Sequence, residues 1–386
     1  MNNIKLNKVI FFTLVATFAI YLTYHQVYTS SSIEHKGFRW FASDTQQHIQ
    51  FITDYIYHSR YIPHPLWHLL VFYTSKIFHL SLNAAAVCIS SASIIIWVYA
   101  VYYIVKHMCE KFSIYTQMLI VLSIIVIGPL CIPWYQKVIY YGQGAPNVWH
   151  NVTYWMVKPF AVMSVYYFIY AQNNQKIRYL LFAFLSAVIS IFAKPSFIII
   201  FLPAVMLYIF IKKLYNKKFI QFFTLLFITS CTILLYQYTL SFGQGSDSKV
   251  VFDFLGVWSL FSKNIPISIF LALAFPIMLV IFYPKIIKNE YILFSWLLTI
   301  LGIIYFALLA QAGKYYTDGN FGWSYAIAMN ILYTFSIILF FKEFYKIEFK
   351  RRYFLLMLFL TQIFIGIYYL QKILIGQNPV FIGFYI

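Results

Sequence analysis

The chain has 386 residues, 62% of them hydrophobic, 22% aromatic and only 10% charged, with a mean hydropathy of +0.76. A soluble domain carries about 25% charged residues, so these values exclude an ordinary soluble enzyme, a disordered tail and a disulfide-built secreted domain. The formal net charge of +18 does not point to nucleic acid, because the basic residues form small clusters between apolar runs, as in loops on one side of a membrane protein.

The sequence predicts an all-α polytopic membrane protein. It reads as a single transmembrane domain over 1–386, with about eleven transmembrane helices. The first apolar run, at about 9–24, follows Lys5 and Lys8 and has no small-residue cleavage site after it. It is expected to be an uncleaved signal anchor. The later runs fall at about 82–105, 114–132, 152–170, 179–193, 196–211, 219–240, 265–283, 291–311, 325–341 and 353–370.

Residues 66–80 are apolar but short, and sidedness decides their reading. If they span, every later basic cluster flips to the outside. If they lie along the surface, Lys106/Lys111, Lys176/Arg178, Lys212/Lys213/Lys217/Lys218, Lys285/Lys288 and Lys342/Lys346/Lys350/Arg351/Arg352 all fall inside. With Lys5 and Lys8 that places 17 of the 28 basic residues on one side. Segment 25–81 therefore reads as a first external loop carrying interfacial helices, with the C-terminus outside.

Segment 179–211 is two short arms joined at Lys194-Pro195, with basic residues at both ends. Each arm, at about 15 residues, makes roughly 23 Å of helix, less than a bilayer core of about 30 Å. A lysine at such a tip has to find a partner.

Of the ten acidic residues, Glu110, Glu290, Glu343 and Glu348 sit beside lysines in the basic loops. The other six, Glu34, Asp44, Asp54, Asp247, Asp253 and Asp318, fall in the expected external segments, as do all histidines except His107. An apolar core requires no such bias, so chemistry is expected on the outer face. In the first external loop Asp44/His48, Asp54/His58 and His64/His68 are each four apart, which puts each pair on one face of a helix. Ser43 is placed to start a helix, and Pro63 and Pro65 to end one and open the next. The pattern fits a carboxylate general base with histidine or metal support, and equally an amphipathic helix turning a polar face to water. A divalent cation is compatible with Asp44, His48, Asp54 and His58; no metal site is assigned and no other cofactor is implied.

An N-terminal span, an external loop with an early aspartate, a surface helix, and an HP-L motif opening a second surface helix follow in that order. This arrangement resembles the GT-C superfamily of integral-membrane glycosyltransferases, which includes protein O-mannosyltransferases and lipid A aminoarabinose transferases. The matching positions are Asp44, His64-Pro65-Leu66 and Phe192-Ala193-Lys194-Pro195, within roughly the first 211 residues. Asp44 is followed by Thr45 where relatives often pair two acids, and the second proline of HPPL is absent. The resemblance implies a GT-C-like fold with catalytic positions at Asp44, as general base, and His64. It also implies a polyprenyl-phosphate-linked sugar donor in the membrane lipid, and a glycan, lipid or protein acceptor on the outer face. That setting is an integral membrane protein of the cell envelope, in a bacterial inner membrane with its site on the periplasmic or external side.

A lipid phosphate needs cations at headgroup depth, for which Arg60, Lys137, Lys158, Lys194 and Lys314 are candidates. His48 and His68 complete the histidine face. In the loop from Trp134 to Phe160, Trp149, His150 and Asn151 combine a ring with polar groups, as a sugar requires, though an interfacial aromatic belt has the same composition. Asn151-Val152-Thr153 matches a glycosylation sequon but abuts a span, and no role is assigned to it. Asp318 in the turn Asp318-Gly319-Asn320 is a further substrate carboxylate, four residues after Lys314. The stretch 241–254 reads as turn chemistry. The four cysteines have no metal spacing, and no P-loop, HExxH or GxSxG occurs. Two other classes compete: an envelope polysaccharide polymerase or ligase, and a secondary transporter or lipid flippase. The late external loops are short and arginine-poor, against the first; no internal repeat is evident, against the second.

Overall fold

The structure, a computed structural model, describes residues 3–29, 32–35, 38–41, 43–132, 139–242, 249–313 and 315–377. It is nearly all helical. In chain order the helices are α1 (Asn3–Tyr28), α2 (Thr45–His58), α3 (Leu66–Ile77), α4 (Leu82–Met108), α5 (Ile114–Val126), α6 (Val152–Asn174), α7 (Ile177–Ala193), α8 (Ser196–Ile211), α9 (Lys217–Phe242), α10 (Gly256–Phe261), α11 (Ile265–Ala272), α12 (Ala274–Phe282), α13 (Glu290–Leu308), α14 (Gly322–Lys342) and α15 (Phe349–Leu374). Six of them, α1, α4, α9, α13, α14 and α15, are long and apolar enough to cross a membrane, and the bent pair α11–α12 would make a seventh. Helices α5, α7 and α8 are apolar but shorter. The chain is thus built as an integral membrane protein.

Burial sorts the long helices. The apolar window of α14 is 94% buried, whereas that of α9 is 22% buried. A helix that is apolar all round and enclosed by others forms a core, and α14 fills that place. Its buried amide is paired: Asn330 Nδ2 donates to the Pro146 carbonyl at 3.1 Å and to Asn147 Oδ1 at 3.0 Å. In α1 the buried residues Phe11, Val15, Ala19 and Leu22 recur at three- and four-residue steps, giving one stripe that packs on α4.

Two apolar runs are not single helices, a departure from the sequence reading. Run 114–132 leaves helix at Val126, because Pro129 has no N–H and biases Gly128 away from helical backbone. Its freed groups are taken up by neighbours: the Gly128 N–H donates to the Gln362 carbonyl at 3.0 Å and the Leu130 N–H to the Leu271 carbonyl at 3.1 Å. Run 265–283 breaks into α11 and α12 at 71°. Pro276 has no N–H for the Ala272 carbonyl, and the Tyr333 hydroxyl donates to that carbonyl instead, at 2.7 Å.

The all-α expectation also needs a small correction. β1 (Ser32–His35) pairs antiparallel with β2 (Phe38–Phe41), and β3 (Val250–Phe252) with β4 (Leu309–Gln311), Val250 facing Gln311 and Phe252 facing Leu309. The Val-Val-Phe sequence of β3 suits a strand, and it ties the end of the 241–254 stretch to the C-terminus of α13.

The bundle has two unlike ends. At one end α1, α7 and α13 finish and α6, α8 and α14 begin. There Gln26 Nε2 donates to the Trp149 carbonyl, and the Ser324 hydroxyl to the Ser196 carbonyl at 2.8 Å. At the other end Lys212 pairs with Glu290 at 2.8 Å, and the Tyr208 hydroxyl lies 2.6 Å from Gln172 Oε1. The basic clusters after α4, α6, α8, α12 and α14 all belong to this second end.

Candidate functional site

The site grows from two helix starts at the first end. Asp44 is the N-cap of α2, but its carboxylate makes no capping bond. The Ser43 hydroxyl accepts the Thr45 N–H instead, at 3.3 Å, which leaves the Asp44 side chain available. Asn151 caps α6: its Oδ1 accepts the Tyr154 N–H and the Thr153 hydroxyl, each at 2.8 Å. Those two donors fix which end of the amide is oxygen. The amide nitrogen therefore faces the other way and donates to Asp44 Oδ2 at 2.7 Å. The Asp44 N–H donates to the His150 carbonyl at 2.9 Å, so backbone and side chain lock the two segments together. Asp44 Oδ1 carries no hydrogen bond among the described residues.

Lys194 arrives from a third element. It lies between α7 and α8 with extended backbone, φ −167° and ψ 116°, as a residue before proline prefers. Its ammonium donates to Thr153 Oγ1 at 3.0 Å, lies 3.5 Å from Asn151 Oδ1, and sits 4.2 Å from the centre of the Trp323 ring. A carboxylate, an amide, a hydroxyl and an ammonium thus form one hydrogen-bonded chain, Asp44–Asn151–Thr153–Lys194. Lys194 is 7% exposed. Burial pulls its ammonium down to about 7, and the charge of Asp44 acts in the opposite direction. This is the partner a lysine at the tip of two short arms requires.

Histidines surround this chain. His48 Nδ1 lies 2.9 Å from His68 Nε2, and the His64 ring is 6.4 Å from that of His48 and 6.2 Å from that of His68. Burial is the main cause that lowers all three, His68 to about 3, with the Lys194 charge lowering each further. His150 is lowered by burial to about 4, against the pull of Asp44; its ring packs 4.6 Å from Tyr140. These imidazoles are neutral at pH 7, so the His48–His68 contact has one donor and one acceptor. Asp318 is pushed up to about 6, first by burial and then by the negative charge of Asp44. Asp44, His48, His64, His68, His150, Asn151, Lys194 and Asp318 are therefore electrostatic neighbours, although they come from four separate stretches of sequence.

Other expected site residues lie elsewhere. Arg60 is a correction: it pairs with Asp54 at 3.2 Å and its side chain is 73% exposed, because the chain turns out through Ser59 in left-handed backbone at the end of α2. Trp149 is a second correction. Its side chain is fully buried against Phe18 and Trp97, so it is a wall of the core and offers no face to a sugar. Lys158 is neither at the surface nor beside the site. Its ammonium donates to Asn147 Oδ1 at 2.9 Å and lies 3.7 Å from the Trp97 ring centre. Lys137 and Lys314 lie outside the described residues. The cation expectation also fails a test of fit: Asp54 is taken by Arg60 and by Gln50 at 2.9 Å, and His58 faces solvent. Among the described residues no three His, Cys, Asp or Glu side chains are grouped to hold a metal ion.

Thr153 and Trp323 belong to the site without having been singled out. The signal for Thr153 was its place two residues after Asn151, and for Trp323 its place in the aromatic stretch after Asp318. No protein-family model matches the chain, and no curated protein matches it.

Proposed function

We propose that this protein is an integral-membrane glycosyltransferase of the GT-C kind, working on a polyprenyl-phosphate-linked sugar at the end of the bundle that holds Asp44. The observation that supports this reading best is the chain Asp44–Asn151–Thr153–Lys194, a carboxylate held in place with one oxygen open among the described residues, beside a buried cation. Asp44 Oδ1 takes the proton of an acceptor hydroxyl as that oxygen attacks the anomeric carbon. The bond from the anomeric carbon to the phosphate oxygen breaks, and the electron pair leaves with the lipid phosphate. Lys194, set in a dry polar site, offsets the charge that develops there. His64 and the His48–His68 pair shape the wall beside it as neutral groups.

In this reading α5, α6, α7 and α8 span together with α1, α4, α9, the α11–α12 pair, α13, α14 and α15, which makes eleven spans, and α2 and α3 lie along the outer surface. The basic end is cytoplasmic, and the site faces the periplasm or cell exterior of a bacterial inner membrane. The acceptor is a glycan, a lipid or a protein.

The test is transfer of a radiolabelled sugar from a polyprenyl-phosphate donor by the purified chain in proteoliposomes. Asp44→Asn keeps the size of the side chain and removes the base, so it should lower transfer at least hundredfold while the chain still expresses and folds. Undiminished transfer by that variant overturns the mechanism. Counterflow of labelled donor without turnover would assign the protein to the transporters.

A further inference from the structure

An open groove of about 690 Å³ lies far from this site, between the start of α1 and the end of α4. On α1 it is lined by Lys8, Phe12, Ala16 and Ile20, four residues apart and therefore on one helix face. Thr13, Ala16 and Thr17 are small, so the face is a trough between the larger Phe12 and Ile20. Its far wall is Tyr99 and Tyr102 of α4, whose rings pack 5.8 and 5.5 Å from that of Phe12. From Lys8 to Ile20 the trough runs about 18 Å, close to one leaflet of a hydrocarbon core about 30 Å thick.

Charge sits at one end only. Lys8 and Lys106 both line the trough, and neither is ion-paired among the described residues. Beyond them an adjoining cavity of about 380 Å³ carries the polar groups of His107, Glu110 and Gln117. Two unpaired ammonium groups at the mouth of a one-leaflet apolar trough complement an acyl chain bearing a phosphate, with room past the phosphate for a hydroxylated headgroup.

We infer that the α1–α4 trough is a binding site for an acidic glycerophospholipid of the leaflet at the basic end, its phosphate held by Lys8 and Lys106 and one acyl chain lying along Phe12, Ala16 and Ile20. The site does not depend on the glycosyltransferase reading, because it lies at the opposite end of the bundle and its readout is lipid retention.

Native mass spectrometry of the full chain in a neutral detergent, titrated with phosphatidylglycerol and with phosphatidylcholine, tests the inference. Phosphatidylglycerol should be retained preferentially. The double variant Lys8→Gln/Lys106→Gln should weaken it about thirty-fold and leave phosphatidylcholine unchanged. Ala16→Phe fills the trough and should weaken both lipids with the lysines intact. Lys217→Gln/Lys218→Gln, at the same end but outside the trough, should change neither. Equal retention of phosphatidylglycerol by the Lys8/Lys106 variant, or an equal loss in the Lys217/Lys218 variant, overturns the site. Unaltered binding by Ala16→Phe, or displacement by equimolar inorganic phosphate, overturns the lipid as its occupant. Melting temperature without added lipid confirms that each variant is folded.

Discussion

The Asn151 amide nitrogen lies 2.7 Å from Asp44 Oδ2, across 107 residues of chain. One side chain therefore does two jobs: its oxygen caps α6 and its nitrogen holds a carboxylate. The two roles separate by substitution. Asn151→Asp retains the capping oxygen but sets a second carboxylate against Asp44, so the chain should fold while sugar transfer falls about hundredfold or more. Asn151→Ala loses the cap, worth about 1 kcal/mol, and the bond to a charged group, worth about 1.5–3 kcal/mol. It should melt measurably lower in detergent than the parent.

Acid should destabilise the protein in a defined window. His68 is lowered to about 3 and His150 to about 4, both chiefly by burial. Between the unfolded value of about 6.5 and those native values the unfolded chain binds more protons, so stability falls as pH falls. The melting temperature, followed from pH 7 to 4, should decline through this range, and His150→Asn should flatten the decline.

Lys194 acts in the same sense at higher pH. Its ammonium is held at about 7, while the unfolded chain keeps the proton to about 10.4. Stability should therefore rise with pH from about 7 to 10, and Lys194→Met should remove that slope in a pH series of melts.

Asp318 has the opposite sign. Its carboxyl is raised to about 6, so between about 4 and 6 the native state holds the extra proton, and ionisation above that range costs stability. Asp318→Asn should melt at or above the parent temperature at pH 7.5 and lose that advantage at pH 4. A lower melting temperature at pH 7.5 would mean that the carboxylate is held by a partner stronger than its burial cost.

The tightest backbone approach is also testable. A Cβ on Gly366 would lie 1.8 Å from the Val126 carbonyl oxygen and 2.5 Å from the Gly128 nitrogen. Gly366→Ala must push α15 away from the end of α5, at about 3 kcal/mol or more. Its yield and melting temperature should both drop well below those of a neighbouring control such as Ile367→Ala on the exposed face.

Much of this architecture was legible in the sequence, for identifiable reasons. Apolar runs reveal helices because burial or lipid on all sides requires them, and Pro65 set the start of α3. Lys194 stood out because a charge is costly at the tip of two short apolar arms, and Asp44 and His64 through the acid and histidine bias of the first external loop and the family resemblance. The break at Leu273 was hidden, because it depends on a tyrosine 61 residues away accepting the role of donor to the Ala272 carbonyl. Arg60 and Trp149 were misplaced for a related reason: residue type shows what a side chain can bind, and only packing shows which way it turns. Thr153 looked like half of a modification signal, and its hydroxyl link to Lys194 exists only once α6 and the α7–α8 tip have met.

The same Asn-Val-Thr triad has a consequence for heterologous production. In the folded chain the Asn151 amide is enclosed and its nitrogen is bonded to Asp44, out of reach of any oligosaccharide-attaching machinery. Made in a eukaryotic secretory host, a chain that received a sugar tree at Asn151 before folding could not make the bond to Asp44 or enclose that amide, so the tree would mark molecules unable to assemble. A single gel-mobility shift, erased by an endoglycosidase, would thus serve as a built-in gauge of misfolding.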